Sequence, residues 1–160
     1  MNVYTATKTC AGLALLCVVA LAGCSSPQND VSFDDAWIKA TDSEMSGMFG
    51  TVTNTGSVDV TVVGATVSVA ATVEIHEVAN GVMREKSGGF VVPSGSVALL
   101  QPGADHLMVM GLTQELKAGE SVRVEVELSD GSRIIVDALV KNFQGANEEY
   151  APGHQGTDMN

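Results

Sequence analysis

From Asp35 to Asn142 the chain alternates apolar and polar residues in short runs, each closed by Gly, Pro, Asn or Asp. Period-two alternation sends successive side chains to opposite faces, so each run reads as a half-buried strand. The expected strands are Ala36–Thr41, Met48–Asn54, Val58–Val69, Ala71–Val78, Val82–Lys86, Phe90–Val92, Ser96–Leu100, His106–Met110, Ser121–Leu128 and Arg133–Val140. Asn54-Thr55-Gly56-Ser57, Gln101-Pro102-Gly103 and Ser129-Asp130-Gly131-Ser132 are turn sequences, and Asn80-Gly81 is the strongest hairpin signal in the chain. No helical period persists, and a single helical turn is allowed only near Leu112–Leu116. Closely spaced turns between short strands predict an all-β fold, an antiparallel Greek-key sandwich or barrel.

The first residues follow a different pattern. Lys8 precedes an apolar run from Ala11 to Leu21, which ends in Leu21-Ala22-Gly23-Cys24 before a polar stretch. A cationic start, a short apolar segment and small residues at the end make a secretory signal, and the run is short for a membrane span. Leu-Ala-Gly-Cys resembles the bacterial lipobox, which implies that residues 1–23 are removed and Cys24 is lipidated. Residues 24–33 then read as a tether, 34–143 as one β domain and 144–160 as a polar, mobile tail. The expected location is the extracytoplasmic side of the cell membrane, held by the lipid.

Charge and cysteine content narrow the function. With 19 acidic and 8 basic residues the net charge is -11, so the surface repels phosphate backbones and nucleic acid is not an expected partner. The three cysteines are Cys10, Cys17 and Cys24, so the folded domain has neither thiol nor disulfide. Phosphate-binding loops, paired-Cys zinc patterns and nucleophile elbows are all absent from the sequence, and no enzyme activity is expected.

The candidate chemistry lies in His106-Leu107-Met108-Val109-Met110. On a strand, His106, Met108 and Met110 share one face while Leu107 and Val109 fill the core. His76 stands opposite the apolar positions Val73 and Ile75, and Met83 follows the Asn80-Gly81 turn that folds back toward it. Imidazole with soft, uncharged thioether suits Cu(I) far better than a hard cation, and zinc would ordinarily add carboxylate or thiolate. The bland alternatives are an ordinary strand with packing methionines, above all at Met110, and a solvated His76 between Glu74 and Glu77. Met45 and Met48 read as packing or loop residues, or as the rim of a site. His154 and Met159 in the tail read as disordered chain, or as a second copper-capturing pair.

Ala36 to Val140 resembles the PCu(A)C family of periplasmic copper chaperones. The segments that carry the resemblance are Ala71–Glu77, Asn80–Met83, Gly88–Gly95 and Pro102–Leu112. It implies a cupredoxin-like fold and a Cu(I) site made by a first His, a downstream Met and a His-x-Met pair. His76, His106 and Met108 match. The downstream Met does not match cleanly, because the corresponding position is Glu85, two residues beyond Met83. Met83, Glu85 or a three-ligand site would each complete the set, and strand register is expected to decide. The ligand set carried forward is His76, Met83, His106 and Met108. The implied role is delivery of copper toward cytochrome c oxidase assembly, to an oxidase subunit or a thiol-bearing assembly factor. A copper-buffering lipoprotein and a metal-free binding sandwich are the rival readings. A blue-copper electron carrier would need a Cys thiolate that the domain lacks.

Overall fold

A computed structural model describes residues 30–145, together with the backbone of residues 149 and 150. The expected signal, lipidated Cys24 and most of the tether, and likewise His154 and Met159, lie outside the described residues. The strands are β1 (Val31–Lys39), β2 (Met45–Asn54), β3 (Val60–Val67), β4 (Ala70–Ala79), β5 (Val82–Glu85), β6 (Phe90–Val92), β7 (Ser96–Leu100), β8 (His106–Leu112), β9 (Ser121–Leu128), β10 (Arg133–Lys141) and β11 (Glu149–Tyr150).

The architecture is the expected all-β one. Strands β4, β8, β2, β1, β10, β9 and β3 follow one another laterally, and a β3–β4 pairing at Ala65 and Val73 closes them into a seven-strand barrel. Closure leaves the barrel without an open edge. One barrel pairing departs from the antiparallel expectation: β1 runs parallel to β10, with Trp37 beside Leu139. A parallel pair needs a long crossover, here almost the whole domain, and local alternation carries no trace of it. No helix occurs among the described residues; the segment after β8 is irregular, and Leu116 instead bridges to Thr41. β1 begins at Val31, inside the stretch read as tether.

Alternation does the folding work. Val122, Val124, Val126 and Leu128 of β9 enter the core, while Arg123, Glu125 and Glu127 stay outside opposite Asp137, Ile135 and Arg133 of β10. Val73 and Ile75 of β4, Leu107 and Val109 of β8 and Met48 of β2 join the same core. Burying such a side chain stabilises the fold by about 1.5–3 kcal/mol, so a register slip that turned one strand over would be strongly opposed.

Two local devices set the strands that matter most. Asn80 and Gly81 both have positive φ, 55° and 78°, as a two-residue type I′ turn requires. That turn fixes the β4–β5 register, with Val78 opposite Met83 and His76 opposite Glu85. In β1, Asp35 and Ala36 together face the single Gly50 of β2, a bulge between the pairs Asp34–Thr51 and Trp37–Phe49. The extra residue lets Phe33 and Ile38 both enter the core and sends Trp37 to the opposite face.

Candidate metal centre

β4 and β8 are hydrogen-bonded neighbours, and their register places His76 directly opposite His106 and Glu74 opposite Met108. Since Ile75 and Leu107 face the core, all four of these residues point to the outer face. The two imidazole rings meet edge-on with centroids 5.8 Å apart.

This outer face is covered. His76 is 0% exposed, His106 3%, Met83 5% and Met108 7%, so the reading of His76 as a solvated strand residue does not hold. The β4–β5 hairpin brings Met83 against His106. On the other side Phe49 of β2 packs 5.7 Å from the His106 ring, and Trp37 and Phe143 extend the aromatic wall. Trp37 and Phe49 escaped sequence reasoning as parts of a site. The available signal was Met48-Phe49, two consecutive large apolar residues in a strand, which requires cover on both faces.

Hydrogen bonds assign the ring nitrogens. His106 Nδ1 lies 2.8 Å from the Ala104 carbonyl oxygen, which can only accept, so Nδ1–H donates and the lone pair of the neutral ring sits on Nε2. Nε2 faces Met83 Sδ at 3.0 Å. Two electron-pair donors held this close are satisfied by a cation between them or by a proton on the ring. At His76, Nε2 is 2.9 Å from Glu74 Oε2. A carboxylate only accepts, so Nε2–H donates there and the neutral ring's lone pair resides on Nδ1, which is buried. Each histidine is thus oriented by one oxygen, as metal-binding imidazoles commonly are.

Register does not choose between Met83 and Glu85, contrary to the expectation. The two are two residues apart and leave β5 on the same side. Burial separates them: Met83 is inside and Glu85 is exposed. A thioether gains by leaving water, whereas an unpaired carboxylate loses its hydration. Met110 is half-buried beyond Met108 and outside this cluster's centre, and Met48 belongs to the core.

An ionic chain ties the hairpin to β8. Arg84 donates to Glu77 at 2.7 and 2.9 Å, and Lys86 lies 3.8 Å from Glu77 and 2.6 Å from Asp105, the residue before His106. The Arg84 hydrogen bond holds the Glu77 carboxyl below its ordinary range. Among the described residues no three His, Cys, Asp or Glu side chains gather so as to hold a metal ion.

A family model described as "Putative lipoprotein LpqE-like" matches residues 31–140. The chain belongs to the LpqE-like lipoprotein family. A relative from Leifsonia xyli subsp. xyli, named "Putative lipoprotein Lxx21020", is 46% identical over 124 residues, which cover 75% of each chain. Among solved structures, the copper-bound PCuAC domain from PmoF2 is similar with a TM-score of 0.63 at 15% identity, over 71% of this chain and 94% of that one. The solution structure of CuI-DR1885 from Deinococcus radiodurans is similar with a TM-score of 0.54 at 26% identity, over 79% and 87%. The fold is thus the cupredoxin-like barrel of PCuAC domains. No helix among the described residues is long and apolar enough to cross a membrane.

Proposed function

We propose that this protein is an extracytoplasmic Cu(I) carrier that holds one ion with His76, Met83, His106 and Met108 and yields it to an acceptor protein. The observation that carries the reading is the meeting of His106 Nε2 with Met83 Sδ at 3.0 Å, beside a histidine and a second methionine on the same covered face. Neutral imidazole and thioether form a soft donor set that favours Cu(I). The likeness to a structure titled as Cu(I)-bound supports the same cargo, and membership of a lipoprotein family supports attachment to the extracytoplasmic membrane surface through Cys24. No bond of a substrate is made or broken. Transfer proceeds by ligand exchange, in which acceptor donors replace thioethers one at a time. Delivery toward a cytochrome c oxidase copper site, through an oxidase subunit or a thiol-bearing assembly factor, is the destination that the PCu(A)C resemblance supports.

An anaerobic Cu(I) competition titration with X-ray absorption tests the ligand set. Wild type is expected to bind one ion with two sulfur ligands. Met83→Leu is expected to retain one sulfur and to weaken binding by about tenfold or more, roughly 1.4 kcal/mol. Glu85→Gln is expected to leave both readouts unchanged. Equal affinity in wild type and in a His106→Ala, Met108→Ala variant would overturn the carrier reading.

A further inference from the structure

The outer face carries two methionines that the four-ligand set does not use. Met45 of β2 lies directly opposite Met110 of β8, and two rungs along the same face Gly47 is paired with Met108. Met108 and Met110 are two residues apart on one strand and share a face. Ser46 and Val109, the residues between, are buried on the other side. Exposure grades along this row: Met45 is 39% exposed, Met110 half-buried, Met108 7% and Met83 5% exposed.

We infer that Met45 and Met110 form a surface landing site for Cu(I), which binds between their two thioethers and is passed inward through Met108. The inference rests on the carrier reading above and adds the route by which the cargo enters. Directly opposed residues on neighbouring antiparallel strands have Cβ atoms about 4.5–5.5 Å apart, and methionine's unbranched side chain lets both sulfurs turn toward one ion. Met110 and Met108 are separated by about 7 Å of strand, so this pair is distinct from the inner set yet adjacent to it. Nothing else on the rung competes, since Met110's partner on β4 is Thr72, a poor ligand for a soft cation. Gly47 offers no side chain beside Met108, and the space there holds the apolar Phe49 ring.

Packing alone gives no reason for this residue choice. An exposed cross-strand pair is better served by β-branched or aromatic side chains, and a methionine that keeps 39% of its surface in water gains little from burial. Two neutral sulfurs hold the ion more weakly than two imidazoles with two sulfurs do, so passage inward is downhill.

The test is a titration of the full-length chain in detergent with Ag(I), a soft, redox-inert cation, followed through the methionine ε-methyl resonances. The first equivalent is expected to shift Met83 and Met108. The second is expected to shift Met45 and Met110 together, in one weaker step. In Met45→Leu, with an otherwise unchanged amide spectrum, that step is expected to vanish at Met110. Met45 and Met110 unmoved through the second equivalent, or moving independently of each other, would overturn the landing site and leave the carrier reading standing. A Met110 shift within the first equivalent would also overturn it, by making Met110 an inner ligand. If Met83 and Met108 do not move at all, the carrier reading fails and takes the landing site with it.

Discussion

Gly47 lacks a side chain because Phe49 occupies the space. A Cβ at position 47 would sit 2.6 Å from Phe49 Cζ and 3.0 Å from Cε2, well inside contact distance. The ring cannot simply swing away, since Trp37 packs against it with centroids 4.6 Å apart and His106 lies on its other flank. Gly47→Ala is therefore expected to cost about 1–3 kcal/mol, as overpacking of a fixed core does. Chemical denaturation measures the loss, and a change in Trp37 fluorescence reports the displaced ring. An unchanged midpoint would mean that the aromatic wall is loose. In the sequence, Gly47 reads only as a small residue between Met45 and Met48. Its neighbour in space, Phe49, is two positions away on the same strand face, and ring placement is set by Trp37, which arrives from another strand.

Turns are the elements most legible from sequence. Asn80-Gly81 adopts the two positive φ angles its residue types favour, and it alone determines that Met83 returns alongside β4. The β9–β10 hairpin is equally local. Asp130 Oδ1 accepts hydrogen bonds from the Ser132 hydroxyl at 2.7 Å and the Ser132 amide at 2.9 Å. These bonds, the hydroxyl's first, lower the Asp130 pKa from its usual value. A carboxyl whose pKa is lower in the folded state stabilises that state above the unfolded pKa, near 3.9, and the contribution disappears as pH falls through the folded value. Amide exchange at Gly131 and Ser132 is therefore expected to quicken relative to the rest of the hairpin below about pH 4, and not in Asp130→Asn. Identical pH profiles for the two proteins would remove the turn's dependence on charge. Element ends were less legible than turns: β1 starts at Val31 because Val31 and Phe33 find a core to enter, which depends on strands far along the chain.

At the scale of the whole molecule the barrel is closed unevenly. The β9–β10 pairing runs through seven register pairs from Arg133–Glu127 to Leu139–Ser121, whereas the β3–β4 seam has the single pair Ala65–Val73. Local opening follows the weakest ladder. Among the barrel strands, native-state hydrogen exchange is expected to show lower protection for the β3 and β4 amides that face each other across the seam than for Val124 and Val126, whose side chains are fully buried. Uniform protection across all the strands would contradict this order. The proposed metal face sits on β4, β8 and β2; β4 also forms one side of the seam, but its His76 lies three residues beyond Val73 and is paired with His106. Opening there would move the β4 edge while His76 remains paired to His106.

Alternation by itself determined that Val73, Ile75, Leu107 and Val109 go inward, and therefore that His76, His106 and Met108 cannot. That conclusion needs only the geometry of a pleated strand and the cost of burying polar groups beside an apolar core. It could not determine that β4 and β8, with three other strands between them in the chain, lie side by side with His76 facing His106. Nor could it determine that Met83 is drawn under cover while Glu85 stays in water. Pairing of distant strands is selected by the fit of the complete core and the closure of the barrel, and no short stretch of sequence contains that information. The convergence of two imidazoles and soft sulfur on one face was decided by tertiary structure, acting on side chains whose direction the sequence had already set.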